Sequence, residues 1–121
     1  MSDRLAPFLL YERQDQPGTF ELVLHDDDME DVEDVFLAAG AEGNGHGWES
    51  LAEALVRRRM PEIGERLRFG SEAGTFVVVS DGPRPLRRLG AVLRDAFHDR
   101  EALARLLREL PAGWAEDAGR P

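Results

Sequence analysis

The run His25-Asp26-Asp27-Asp28-Met29-Glu30-Asp31 concentrates the side chains that are best suited to binding a hard cation. Calcium and magnesium bind several oxygen ligands at defined angles, which adjacent carboxylates at the end of a strand could supply. The calcium-loop pattern needs acids at alternate positions, a central glycine and a distal glutamate, and the run lacks it. We interpret the run first as a helix cap and solvated helix face, and second as a partner-contact surface. The alternative is a small divalent-cation-binding module or an enzyme built around Asp26–Asp28.

The chain offers little from which to assemble a catalytic site. His25, His46 and His98 stand in separate predicted elements, without the close spacing of a helical ligand pair. No serine stands in a Gly-x-Ser-x-Gly turn, and cysteine is absent, which removes thiolate nucleophiles and thiolate metal ligands. We therefore expect no catalytic residues, no cofactor and no resident metal, and a protein that is not an enzyme.

The segment Gly40–Trp48 is rich in glycine, like the loops that bind phosphates. It follows a helix pattern rather than a strand, lacks a Gly-Lys-Ser/Thr ending, and lies in the most acidic third of the chain. These features argue against a phosphate site. The segment is instead a shaped loop that leads Trp48 onto a helix, and the regular apolar stripe behind Trp48 favours a core position for its indole.

The distribution of charge indicates the class of partner. The 121 residues include 24 acids and 15 bases, all arginine, for a net charge of −9. Residues 21–53 contain eleven acids and no base, so this third supplies more than the whole net charge. Phosphates and anionic membrane surfaces repel such a segment, so we expect no nucleic acid and no membrane among the partners. A basic protein is the natural complement.

Length and composition indicate a single domain over residues 1–121, because about 100–150 residues is a common domain size. No apolar run approaches the roughly 20 residues that span a bilayer, and the first residues lack the apolar stretch of a signal peptide. We therefore expect a cytoplasmic protein. Its ordered core is expected over about residues 6–110, with residues 111–121 as a flexible tail. The oligomeric state is left open.

Hydrophobic periodicity predicts the elements that must position these residues. An apolar period of two predicts four strands, at residues 8–13, 19–25, 66–69 and 75–80. The strand at residues 75–80 is apolar on both faces, so we expect it to be central in the sheet. A helical period predicts four helices. The first begins at a cap, Asp27 or Asp28, and ends at Gly40, and the second has Trp48 as the first residue of its apolar stripe. The third and fourth helices meet at His98-Asp99.

The order ββααββαα predicts an α+β fold, a four-stranded antiparallel sheet with helices packed on one face. The helices are expected to meet the rest of the core through a set of apolar residues that recur at helical spacing. These residues are Val32, Phe36, Leu51, Leu55, Leu89, Leu93, Leu103 and Leu107.

Four stretches of the chain resemble immunity protein family 51: Pro7–Glu12, Glu21–Leu24, Gly40–Ala52 and Leu93–Asp99. The resemblance spans about residues 7–110 and is strongest at the Gly-Asn-Gly-x-x-Trp stretch that begins at Gly43. The family consists of predicted antidotes encoded beside toxins in bacterial polymorphic toxin systems. The resemblance therefore implies a binder that neutralises a cognate protein toxin, and it brings no catalytic residues with it.

The negative charge of residues 21–53 fits the toxin-binding function that this resemblance implies. Many interbacterial toxins are nucleases with cationic grooves, and an acidic protein can occupy such a groove by imitating the charge of nucleic acid. We therefore expect the partner-contact residues to be exposed acids of the first helix and its entry, together with residues of the glycine-rich loop. They are Asp27, Asp28, Glu30, Asp31, Asp34, Glu42, Asn44 and His46.

Overall fold

The computed structural model describes residues 4–110. Two hairpins form one antiparallel sheet in which the strand order is β1-β2-β4-β3. The first hairpin joins β1 (Leu9–Glu12) to β2 (Phe20–His25), and the second joins β3 (Arg68–Phe69) to β4 (Thr75–Ser80). The α+β fold with a four-stranded antiparallel sheet is thus confirmed. The central position predicted for β4 is also confirmed, because β4 pairs with β2 on one side and β3 on the other.

One face of the sheet is largely apolar and forms the floor of the core. The register places Leu22 opposite Val78 and Leu24 opposite Phe76, and all four side chains are buried. Alternation within each strand directs these side chains to the same side of the sheet. The helices pack on this side, as the sequence predicts.

The first predicted helix is wrong as a continuous element. It consists of α1 (Asp26–Met29), a 3-10 turn (Glu30–Val32) and α2 (Glu33–Ala38). The break lies at Val32, whose φ of −125° and ψ of 14° are not helical. Gly40 ends this region as predicted, with a φ of 86° that suits a glycine. The apolar stripe survives the break, because Met29, Val32 and Phe36 are all buried.

The predicted cap at Asp27 or Asp28 is also wrong. β2 runs directly into α1, so the strand's last residue, His25, occupies the cap position with extended backbone and without a side-chain cap bond. Asp26, Asp27 and Asp28 fall in the first turn instead. There the carboxylates lie near free backbone N–H groups, which favours negative charge.

The remaining helices follow the predicted pattern, with shifted ends. α3 (Gly45–Arg59) starts three residues before Trp48, and a 3-10 turn over Pro61–Arg66 shortens β3 to two residues. α4 (Pro83–Phe97) and α5 (Arg100–Glu109) meet at the predicted joint, where the Asp99 carboxylate accepts hydrogen bonds from two backbone N–H groups of α5. Within residues 4–110, no helix has the length and apolar character needed to cross a membrane. The predicted tail lies outside the described residues.

A cluster of aromatic rings lies where the sheet meets the helices. Trp48 is 0% exposed, and its ring centroid lies 5.1 Å from that of Phe36 and 5.7 Å from that of Phe8. Phe8 in turn contacts Phe76 of the sheet and Phe97 of α4 edge to face. The core position predicted for Trp48 is therefore confirmed. All eight predicted core residues are buried as well.

Candidate partner-binding surface

The acidic segment of the chain is held rigidly at one end of the sheet. It starts where β2 ends at His25, and its buried residues Met29, Val32 and Phe36 fasten it to the core. Because these anchors take one side of each short helix, the carboxylates between them are directed outward. The exposed members of the predicted contact set in this segment are Asp27, Glu30, Asp31 and Asp34, whereas Asp28 is half-buried.

An arginine from the other end of the chain neutralises part of this charge. Arg100 of α5 donates one hydrogen bond to the Asp34 carboxylate and another to the Asp31 backbone oxygen at 3.1 Å. Among residues 4–110, the carboxylates of Asp27, Glu30 and Asp31 have no ion-pair partner. We call these three exposed residues the acidic surface.

The glycine-rich loop, Gly40–Gly47, has a structural task that its sequence alone does not show. Asn44 is the N-cap of α3: its Oδ1 accepts a hydrogen bond from the Gly47 N–H at 2.9 Å, and its Nδ2 donates to Glu42 at 3.2 Å. The Gly45 N–H donates to the Ala73 carbonyl at 2.9 Å. The loop is therefore tied both to α3 and to the turn between β3 and β4.

Two glycines permit this close approach of backbone to backbone. A Cβ at Gly45 would lie 1.8 Å from the Glu72 carbonyl oxygen, and a Cβ at Gly47 would lie 2.1 Å from the Glu42 carbonyl oxygen. Neither distance can accommodate a carbon atom. The Gly-Asn-Gly-x-x-Trp stretch is thus a folding element, in which Asn44 caps a helix, the glycines allow contact and Trp48 fills the core.

The structure brings the eight predicted contact residues to one region without making them equivalent. Gly43 packs closely on Glu33 and Phe36, which places the loop beside the first helical region. Glu42 is exposed, whereas Asn44 and His46 are half-buried. Asn44 and Glu42 are hydrogen-bonded to each other, and Asp34 is bonded to Arg100. The three carboxylates of the acidic surface are exposed and have no ion-pair partner among residues 4–110, and the exposed Glu42 carboxylate bonds only to the neutral amide of Asn44.

None of the eight predicted residues lines either of two grooves found in the described part of the chain. A groove of about 220 Å³ lies between α3 and α5. The other, of about 800 Å³, lies between the N-terminal segment, β1 and α4, with the arginines Arg4, Arg87 and Arg94 in its lining. The predicted acidic contacts Asp27, Glu30, Asp31, Asp34 and Glu42 are exposed at the surface, where a macromolecule can reach them together.

The divalent-cation alternative depends on converging ligands at Asp26–Asp28. Within residues 4–110, no group of three or more histidine and acidic side chains is arranged so that it could hold a metal ion. The successive aspartates of α1 point in different directions around the short helix. The structure therefore provides no specific support for that alternative.

The sequence interpretation missed an apolar surface on the uncovered face of the sheet. Leu9 and Tyr11 of β1 are 49% and 44% exposed, and they share this face with Val23, Val77 and Val79. We call these five residues the open sheet face. The sequence contains part of the information needed to predict this face. The strand Thr75–Ser80 has apolar residues on both sides, and only one side belongs to the core.

Tyr11 has a distinct electrostatic environment on this face. Partial burial raises the pKa of the Tyr11 hydroxyl above its ordinary value, and the charge of Glu21 and a hydrogen bond to it raise that pKa further. The register places Tyr11 directly opposite Glu21. The hydroxyl is protonated at neutral pH, as a tyrosine ordinarily is, and its hydrogen bond is committed to Glu21.

Comparison with known proteins places the chain in a family. The family model described as Immunity protein 51 matches residues 8–111, which is most of the chain. A search of curated proteins and a search of solved structures each found no match. The matched range includes both hairpins, the glycine-rich loop and the helices that enclose Trp48. The chain therefore belongs to the Immunity protein 51 family.

Proposed function

We propose that this immunity protein neutralises a cognate protein toxin by binding it, with its acidic surface placed against a basic active site such as that of a nuclease. The observation that carries the proposal is the exposure of Asp27, Glu30 and Asp31 near the glycine-rich loop, without an ion-pair partner among residues 4–110. Binding, not catalysis, is the proposed mode of action. The wider contact set remains the eight predicted residues: Asp27, Asp28, Glu30, Asp31, Asp34, Glu42, Asn44 and His46.

Rigid attachment supports this use of the charges. The carboxylates belong to short helices that Met29, Val32 and Phe36 fix to the core, so little backbone freedom is lost when a partner binds. Arg100 holds the Asp31 backbone and the Asp34 carboxylate, which adds a tie from α5. A preorganised acidic surface is a better electrostatic complement than a flexible acidic run of the same charge.

Electrostatic attraction is expected to act mainly on the rate of association. Opposite charges on two proteins accelerate their encounter, and added salt weakens the effect by screening. An antidote benefits from fast capture, because free toxin acts until it is bound. For a toxin that attacks nucleic acid, the cytoplasm is the proposed place of capture, within a polymorphic toxin system whose toxin gene lies next to the gene for this chain.

The test is reversal of charge at the acidic surface. The double variant Asp27→Lys/Asp31→Lys removes no ion pair found within residues 4–110, so the fold is expected to persist. Binding to a catalytically inactive form of the toxin domain encoded by the adjacent gene is measured by stopped flow at about 50 and about 300 mM salt. We expect an association rate constant about tenfold lower at the lower salt, and a flatter dependence on salt.

A matched control separates local charge from net charge. Asp15→Lys/Glu65→Lys changes the net charge equally, but both residues lie at the opposite end of the sheet, near the β1–β2 turn and beside the Arg66–Asp81 pair. It removes the exposed Arg13–Asp15 ion pair, and a surface pair of this kind contributes little to stability. This control is expected to retain most of the wild-type rate. Equal rates for wild type and Asp27→Lys/Asp31→Lys at both salts would refute the acidic mechanism, and absence of any binding by wild type would refute the toxin-binding function itself.

A further inference from the structure

The open sheet face differs from the usual outer face of an antiparallel sheet. A sheet with helices on one side normally alternates apolar residues inward with polar residues outward. Here the register sets Leu9, Val23 and Val77 side by side across three strands, and sets Tyr11 and Val79 on either side of Glu21 in the next row. An apolar row and a mixed row therefore face outward where polar side chains are expected.

Within residues 4–110, no helix covers this face. Leu22 and Leu24 belong to the apolar cluster shared with the helices, whereas Val23, between them, is buried but lies outside that cluster. Val23 is 3% exposed and stands on a central strand between Leu9 and Val77. Of the three large hydrophobic side chains that are exposed in this part of the chain, two, Leu9 and Tyr11, are on the open sheet face.

The rim of the face is charged, and one end of it leads into the acidic surface. His25 is exposed on the same side of β2, and Asp26 and Asp27 follow it in the chain. Arg68 lies at the end of the row of Tyr11 and Val79, and Glu21 lies inside that row between them. An apolar centre with a polar, charged rim is the common organisation of a protein–protein interface.

The size of the face favours an occupant that extends beyond it. At about 4.8 Å between strands and about 3.3 Å per residue, the apolar rows cover roughly 200–300 Å². A standard interface buries about 800 Å² on each partner. A partner seated here must therefore also cover neighbouring surface, and on the His25 side that surface is acidic.

We propose that the open sheet face is the apolar centre of the toxin-binding interface, and that it receives an apolar patch of the protein toxin whose flanking basic side chains meet the acidic surface. This inference rests on the proposed function, since the occupant is the toxin. The negative charge of the chain favours a basic toxin over a second copy of the chain as the occupant of this face. Two copies packed face to face would bring two acidic surfaces of a protein with net charge −9 to the same interface.

The experiment compares two exposed leucines in the full chain. Leu9 on the open sheet face and Leu37 on α2 are 49% and 57% exposed, so Leu9→Gln and Leu37→Gln remove similar apolar surface. Affinity for the inactive toxin domain of the adjacent gene is measured by calorimetry. We expect Leu9→Gln to weaken binding about tenfold or more, as loss of an interface centre does, and Leu37→Gln to stay within about twofold of wild type. Thermal melts verify that both variants fold.

A second measurement uses the single tyrosine of the chain as a probe of the face. With 3-fluorotyrosine incorporated, the ¹⁹F spectrum contains one protein resonance, from Tyr11, and addition of the toxin domain is expected to shift it. Wild-type binding with an unmoved resonance and equal affinity for both leucine variants would overturn the sheet-face proposal while leaving the toxin-binding function intact. A dimer of the free chain, seen by light scattering and abolished by Leu9→Gln without loss of toxin affinity, would assign the face to self-association and overturn the proposal as well.

Discussion

At the scale of single residues, the glycine-rich loop shows how one side-chain type can decide a contact. Gly45 lies so close to the backbone of the β3–β4 turn that a methyl group would overlap the Glu72 carbonyl oxygen. Its N–H is also committed to the Ala73 carbonyl. The loop can keep its position against the turn only while residue 45 has no side chain.

Gly45→Ala is therefore expected to destabilise the protein by about 2 kcal/mol or more, because the loop must move away from the turn and lose its hydrogen bond. Chemical denaturation followed by circular dichroism measures the change. Gly70→Ala is the matched control, since nothing lies within 4 Å of a Cβ at Gly70. We expect that variant to remain within about 0.5 kcal/mol of wild type. Similar stabilities for the two alanine variants would show that the loop adapts without cost.

At the scale of elements, α3 contains a carboxyl group whose charge the fold disfavours. Burial raises the pKa of Glu53, and the nearby charge of Glu49 raises it further, while Arg57 acts in the opposite direction. Because the folded state binds this proton more tightly than the unfolded chain, the Glu53 contribution to stability falls as pH rises from the unfolded pKa of about 4.3 through the folded value. Above both values, the ionised Glu53 destabilises the fold.

Glu53→Gln is consequently expected to raise the Tm at pH 7, and the gain should shrink toward pH 4, where Glu53 becomes protonated in both states. Thermal melts across this range measure the effect. Glu65→Gln removes a charge from an exposed position, beyond the end of α3, and serves as the control. A gain for Glu53→Gln that is independent of pH, or matched by Glu65→Gln, would contradict the assignment to Glu53 ionisation.

The first helical region illustrates how elements cooperate to present charge. Three short helical pieces replace one helix, because the backbone turns at Val32 while its side chain remains in the core. α5 then approaches closely enough for Arg100 to bond Asp34, a residue 66 positions away in the chain. The acids at the surface thus depend on an element from the far end of the sequence.

At the scale of the whole molecule, the two halves of the chain share a single core. Trp48 of the first half contacts Phe8 and Phe36, and it also contacts Phe97, which belongs to α4 of the second half. Leu93 of the same helix is 0% exposed. A core shared in this way predicts that the protein unfolds as one cooperative unit.

Leu93→Asp is expected to cost about 3 kcal/mol or more, because it places an unpaired charge in that core. The milder Leu93→Ala is expected to cost about 2–5 kcal/mol through the cavity it leaves, and it keeps the prediction measurable if the aspartate variant does not fold. Tryptophan fluorescence and circular dichroism should report the same shifted transition. Arg87→Asp, at an exposed position of α4, is the control and should change stability little. An unchanged Tm for Leu93→Ala would mean that α4 is not packed as the structure has it.

The hydrophobic periodicity of short segments is sufficient to predict the strands and helices, their order and the face of each that is buried. Periods of two and of about 3.6 report which side of a strand or helix is apolar, and burial selects that side. For this reason the strand Thr75–Ser80, the stripe behind Trp48 and the joint at His98-Asp99 were all predicted. Exact boundaries were less well predicted, as at Val32 and in the shortened β3, because the end of an element depends on what packs against it.

Composition and local spacing were therefore enough to predict an acidic α+β protein with one core and a resemblance to an immunity family. Which of the candidate contacts have a partner follows instead from the packing of elements that are far apart in the chain. Asp34 faces Arg100 and Gly45 faces Glu72 because strand register and helix packing bring distant residues together. The register between strands also shows that Leu9, Val23 and Val77 form a row on the uncovered side of the sheet. Contacts of this kind depend on register between strands, which no local pattern in the chain contains.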